Sequence, residues 1–121
     1  MKAIKLYIII LFTVAVGANT QAQTHDHSKM ITVKTDTVKV LGNCDMCKSR
    51  IEGAVKSEGA GAAVWNATNK LLVVSYDPSK TNVDILLKKV AAVGHDSEKY
   101  KAEDKVYNSL PACCKYERGK F

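Results

Sequence analysis

Gly42-Asn43-Cys44-Asp45-Met46-Cys47 stands between a short apolar run, Val38 to Leu41, and the stretch Lys48 to Glu58. Cys47, Ile51, Ala54 and Val55 recur at helical spacing, which gives the stretch behind the thiols one apolar face. Cys44 is therefore expected in a strand-to-helix loop and Cys47 in the first helical turn. There the unpaired backbone N–H groups and the positive end of the helix dipole favour thiolate over thiol. Two soft thiolates on an open loop suit Cu(I), Hg(II) or Zn(II), and Cu(I) is the leading expectation.

Outward from this stretch, residues 31–41 read as a first strand, with Val38 and Val40 on one face, and residues 46–57 as the first helix, ended by Gly59. Residues 62–66 and 70–76 read as two further strands joined by a polar loop. Leu72, Val74 and Tyr76 oppose Leu71 and Val73 across the second of these. Thr81-Asn82-Val83-Asp84 resembles a capping box with Thr81 as the cap. Val83, Leu86, Leu87, Val90 and Val93 then form the stripe of a second helix closed by Gly94, and residues 97–101 are the predicted fourth strand. The order βαββαβ predicts an α+β domain over residues 31–101, with two helices on one face of a four-stranded antiparallel sheet.

Val-Lys-Val-Leu-Gly-Asn-Cys-Asp-Met-Cys (residues 38–47) and Ala-Ala-Val-Gly-His-Asp (residues 91–96) stand where the heavy-metal-associated domain family has its strand, metal-binding Cys-x-x-Cys and post-helix loop. The chain resembles that family over residues 31–101. The resemblance implies a ferredoxin-like fold and a two-thiolate metal site at Cys44 and Cys47, with ligand exchange to a partner such as a metal-transporting ATPase or an efflux component. Two departures are visible. Only Asn43 separates Gly42 from Cys44, so the loop is one residue shorter than the usual pattern and lacks its buried Met. His95 replaces an aromatic residue, and the topology brings it to the CxxC end, as a third ligand or as a surface residue after a glycine cap.

The extension, residues 102–121, carries an adjacent pair, Cys113 and Cys114. Residues 102–110 are predicted to be a short helix stopped by Pro111. Nine helical residues cover ~13 Å, close to the ~17 Å of a five-residue strand, so the pair is expected back near Cys44 and Cys47. One or both would then join a three- or four-sulfur site with His95 nearby; the alternative is a buried or disulfide-bonded pair apart from it. Met46 is exposed or caps the loop, with a direct thioether bond as the alternative. Lys48 either offsets thiolate charge or is solvated. Trp65 points toward the metal end by topology, where it shields the thiols or simply packs in the core.

Lys2 and Lys5 precede an apolar run, residues 6–16, broken only by Thr13, and small residues allow cleavage near Ala22. Residues 1–22 are expected to be a signal peptide, because the run is shorter than the ~20 residues of a span. The location implied is periplasmic or secreted, with no stable membrane insertion after cleavage. Residues 23–30 form a polar segment with His25 and His27, which offer a Cu(II) site only if cleavage places His25 third. The charge of +6 falls to +4 without Lys2 and Lys5, and it is dispersed, which argues against nucleic acid. A mature chain of this size is expected to be a monomer.

No Ser/His/Asp set, paired carboxylates or phosphate-cradling glycine loop is visible, so catalysis is not expected. The rival from another class is a thiol-disulfide exchange protein, since a CxxC at a helix start suits that chemistry. Pro78 and Pro111 are the only prolines, and neither precedes a strand facing Cys44.

Overall fold

The computed structural model describes residues 32–121. The expected signal peptide, residues 1–22, and the expected polar segment, residues 23–30 with His25 and His27, lie outside them. The elements are β1 (Lys34–Lys39), α1 (Asp45–Ser57), β2 (Ala60–Trp65), β3 (Leu71–Tyr76), α2 (Val83–Ala92), α3 (Asp104–Asn108) and a 3₁₀ turn at Ala112–Cys114. Among the described residues no helix is long and apolar enough to cross a membrane.

The sheet is antiparallel with the order β1-β3-β2, so β3 is the central strand. Its alternation decides which face is wet: Leu72, Val74 and Tyr76 are buried, while Val73 is exposed. Ala60, Ala63 and Trp65 of β2 continue the buried face. Ile51, Ala54 and Val55 of α1 and Leu86, Leu87 and Val90 of α2 complete the same core. Each fully buried Leu, Ile or Val contributes ~1.5–3 kcal/mol relative to exposure, so the two helical stripes hold the helices to the sheet.

Three sequence expectations change. Among the described residues the sheet has three strands, and the expected fourth is reduced to one bridge between Val40 and Ser97. The backbone does run beside β1 for a moment, with Leu41 N–H donating to the Asp96 carbonyl at 2.8 Å and Glu98 N–H to the Lys39 carbonyl at 3.2 Å. Ser97 then turns the chain, its N–H bonding the Tyr100 carbonyl at 2.8 Å and its Oγ accepting from Tyr100 N–H at 3.1 Å. This local turn takes the groups that a ladder would need. The second change is at α2, where Asn82 is the cap and its side chain accepts from Ile85 N–H at 3.0 Å; Thr81 is buried just before it. The third is the extension helix, which spans Asp104–Asn108 rather than nine residues.

The extension is docked through side chains far apart in sequence. Tyr116, nearly fully buried, donates its hydroxyl hydrogen to the Gly94 carbonyl at 2.8 Å and accepts from Asp96 N–H at 2.8 Å. Leu110 packs on Gly94, where φ is +105° and an added Cβ would lie 2.9 Å from the Leu110 side chain. Arg118 grips the buried Asp96 carboxylate with two N–H bonds of 2.9 Å, and reaches the Ala102 carbonyl at 2.6 Å. Tyr107 adds an edge contact to the Tyr116 ring. These anchors bracket Cys113 and Cys114 and fix where the pair lies.

Candidate metal centre

Cys44 is the N-cap of α1 in extended conformation, φ −132° and ψ 176°, and Cys47 lies in the first turn, fully buried. The loop before them is short because Gly42 lets it pass under a ring. A Cβ on Gly42 would fall 3.0 Å from the Cys47 Cβ and 3.0 Å from two atoms of the Trp65 ring. Trp65 is itself held, with Nε1–H donating to the Val40 carbonyl at 3.0 Å, so it has no room to yield. Gly42→Ala is expected to cost about 1–3 kcal/mol through overpacking, read as a lowered urea midpoint. A midpoint equal to wild type would show that the loop is looser than this contact implies.

The extension brings both of its cysteines to this loop. Cys44 Sγ lies 3.6 Å from Cys47 Sγ, 2.9 Å from Cys113 Sγ and 3.6 Å from Cys114 Sγ. All four cysteines are free thiols. The sulfurs of Cys44, Cys47 and Cys114 all fall within 4.8 Å of one another, a spacing able to hold a metal ion. Cys113 is exposed, 3.9 Å from Cys114 Sγ and 3.4 Å from the Met46 thioether sulfur. Cys114 is fully buried, as befits a residue that closes the inner side of the group.

His95 stands outside that sulfur group. It is fully buried, with Nδ1 2.8 Å from the Leu41 carbonyl and its ring stacked on Tyr116 at 5.5 Å. The carbonyl fixes the ring proton on Nδ1. Burial pushes the His95 pKa down, so the ring is neutral. It therefore lies at the CxxC end, where its ring bonds the Leu41 carbonyl, and Cys114 rather than His95 stands with Cys44 and Cys47. Lys48 is also engaged elsewhere: its ammonium pairs with Glu52 and donates to the Trp65 carbonyl at 3.0 Å. Trp65 is packed in the core, with its ring against Gly42.

The thiols differ in proton affinity. Contact with the Cys113 thiol holds Cys44 down at about 6; partial burial opposes this, and the Cys47 backbone N–H and the Cys114 thiol assist. The same contact with Cys44 pushes Cys113 up, while burial, followed by the Cys47 and Cys44 sulfurs, pushes Cys114 up. Of Cys44, Cys113 and Cys114, Cys44 is therefore the thiol that ionises first. Alkylation of Cys44 in the reduced protein, followed by peptide mass spectrometry, is expected to switch on as pH rises through about 6. Cys113 should follow only at more alkaline pH. A Cys44 profile in the ordinary thiol range would contradict this assignment.

Tyr116, Arg118 and Lys70 were not singled out by the sequence. Lys70 adopts φ 63° at the end of the β2–β3 hairpin, places its ammonium 5.7 Å from the Trp65 ring centroid and donates to the Gly42 carbonyl. No local signal marks these residues, because the group each holds (the Gly42 carbonyl for Lys70, the Gly94 carbonyl for Tyr116, the Asp96 carboxylate for Arg118) lies 22 or more positions away.

Comparison with known proteins bears on this geometry. The family model described as "Heavy-metal-associated domain" matches residues 37–96. A copper-exporting P-type ATPase of Staphylococcus saprophyticus is 36% identical over 67 residues, which are 54% of this chain and 8% of the ATPase. The chain therefore spans only a small fraction of that relative. Among solved structures, the CopZ metallochaperone is 30% identical with a TM-score of 0.51, covering 53% of this chain and 98% of its own. Oxidized MerP from Ralstonia metallidurans CH34 is 28% identical with a TM-score of 0.52, covering 55% and 96%. The match begins in β1 and ends at Asp96, so the cysteines of the extension fall beyond it. With its CxxC at the start of α1 and this likeness to the whole of a metallochaperone, the chain belongs to the heavy-metal-associated domain family.

Proposed function

We propose that this is an exported protein that sequesters Cu(I) and hands it on, holding the ion through Cys44, Cys47 and Cys114. The observation that carries the reading is the convergence of those three sulfurs within 4.8 Å, two from the CxxC and one from the docked extension. Bonds of ~2.3 Å, usual for a metal–thiolate contact, put the sulfurs of a trigonal ion roughly 4 Å apart. The observed separations of 3.6 Å from Cys44 approach that spacing with little rearrangement. Thiolate donors select soft ions, and the copper-exporting ATPase and metallochaperone relatives favour copper over Hg(II) or Zn(II).

Delivery needs no acid, base or oxyanion site. An incoming thiol adds to the three-coordinate ion, one resident sulfur leaves, and the ion remains Cu(I). A third sulfur held by a docked tail slows that exchange relative to a two-thiolate carrier, so the reading is of a reservoir more than a fast courier. Its partner would be the metal-binding domain of a metal-transporting ATPase or another efflux component. Export rests on the leader, residues 1–22.

Anaerobic titration of the reduced protein with Cu(I) against a competing chelator tests this. Cys114→Ser is expected to weaken Cu(I) about 10–100-fold, or about 1.4–2.8 kcal/mol. Binding unchanged in Cys114→Ser, and in the double variant with Cys113→Ser, would remove the tail from the site. Failure of the wild type to compete with the chelator would overturn the copper reading itself.

A further inference from the structure

The three-sulfur group leaves one thiol and one thioether unaccounted for, both on its outer side. Cys113 Sγ is 2.9 Å from Cys44 Sγ and 3.4 Å from Met46 Sδ, yet it stands outside the group formed by Cys44, Cys47 and Cys114. Cys44 is the hub: its sulfur contacts all three other cysteine sulfurs at 2.9–3.6 Å. Met46 is 52% exposed although it is a large apolar side chain, and it leans over Cys113. A thiolate has lone pairs for two ions, whereas a buried Cys47 on the far side of the hub serves only the inner one.

We infer that the site is dinuclear, with a second Cu(I) bound between Cys44 and Cys113 and completed by the Met46 thioether, so that Cys44 bridges the two ions. This rests on the three-sulfur copper site proposed above. The ligand class follows from the donors: a thioether is soft and uncharged, binds Cu(I) well and adds little for Zn(II). The proton count balances. Filling both positions converts four thiols to thiolates, so two Cu(I) displace four protons from the fully protonated site, fewer where Cys44 is already ionised, and no electron moves. The resulting cluster carries two negative charges beside the N-terminus of α1, where the helix dipole favours anions.

The inference also accounts for the adjacent pair. Cys113 and Cys114 are successive residues of one 3₁₀ turn, one exposed and one fully buried, with sulfurs 3.9 Å apart that both reach Cys44. A single ion would use the buried member and leave the exposed member without work. Two ions sharing Cys44 employ both.

Native mass spectrometry of the reduced full chain, loaded with Cu(I) under nitrogen, provides the test, with the chelator titration run in parallel. The wild type is expected to hold two copper ions per monomer, and Cys113→Ser to hold one with the affinity of the inner site retained. Met46→Leu should keep the inner ion unchanged and weaken the outer one about tenfold. X-ray absorption should give a copper–copper component in the wild type that Cys113→Ser lacks. Both variants alter exposed side chains, and unchanged circular dichroism would confirm their folding. One copper in the wild type, two retained in Cys113→Ser, or copper shared between two chains would each overturn the dinuclear site while leaving the inner site standing. No copper in the wild type would overturn both proposals.

Discussion

Cys44→Ser is expected to abolish competitive Cu(I) binding, with affinity falling by more than ~10³-fold, or at least ~4 kcal/mol. The Cys44 sulfur lies within 3.6 Å of all three other cysteine sulfurs, so its loss opens both the inner and the outer position. It also removes the thiol whose pKa is lowered to about 6, chiefly by the Cys113 contact. In its absence Cys114 must still lose its proton from a raised position, because burial is the largest cause of its shift. Cys47→Ser should hurt less than Cys44→Ser, because Cys113 and Cys114 still reach Cys44. The ranking separates this site from a plain CxxC carrier, in which the two substitutions would be equivalent. The chelator competition reads it directly, and a Cys44→Ser variant that keeps tight binding would overturn the metal centre.

What was legible in the sequence was local. The alternation of Leu72, Val74 and Tyr76 against Val73 reports β3 because strand burial repeats every two residues. Ile51, Ala54 and Val55, and later Leu86, Leu87 and Val90, report the two helices by the same kind of argument at helical spacing. Cys44 and Cys47 were readable as a site because strand, loop and helix start lie next to one another in sequence. What was not legible depends on contacts between distant segments. The fourth strand failed at Asp96 and Ser97: a local turn takes the Ser97 groups, while Arg118 and Tyr116 take those of Asp96 from more than ten residues away.

The extension shows the same division. A length argument brings Cys113 and Cys114 back toward the loop, yet it relies on a nine-residue helix. The shorter Asp104–Asn108 helix reaches the same place because Leu110 and Tyr116 seat on Gly94. Lys48 illustrates the converse: proximity in sequence to the thiols suggested a charge partner, but Glu52, one helical turn along, holds its ammonium. His95 was placed at the correct end of the domain by topology, but the Leu41 carbonyl and the Tyr116 ring determine what it does there.

Arg118→Ala is expected to destabilise the protein by about 3–5 kcal/mol, because it leaves the buried Asp96 carboxylate without its partner. The Asp96 side chain is fully buried and that of Arg118 only 21% exposed, so water does not substitute for the lost fork. Burial alone would raise the Asp96 pKa; the Arg118 fork and the Ala102 N–H reverse this and hold it below the ordinary carboxylate value. The sign of the pH dependence follows. A carboxyl depressed in the folded state contributes stability that is present above its unfolded value near ~3.9 and lost as pH falls through the folded value. His95, depressed by burial, adds a second acid-side loss that begins as pH falls below ~6.5. In Arg118→Ala burial prevails, the Asp96 pKa rises, and protonation relieves the unpaired charge, so the gap to wild type should narrow as pH falls. Urea titrations at several pH values measure that gap, and a constant gap would mean that the fork acts through packing alone. Arg118→Lys keeps the charge but not the two-pronged geometry, and should fall between the two. The same substitution tests how fold and site are joined. With Arg118 gone the extension loses its grip on the Asp96 carboxylate, Cys114 is held beside Cys44 only by the Tyr116 and Leu110 contacts, and Cu(I) affinity should fall toward that of Cys114→Ser although no sulfur has been removed.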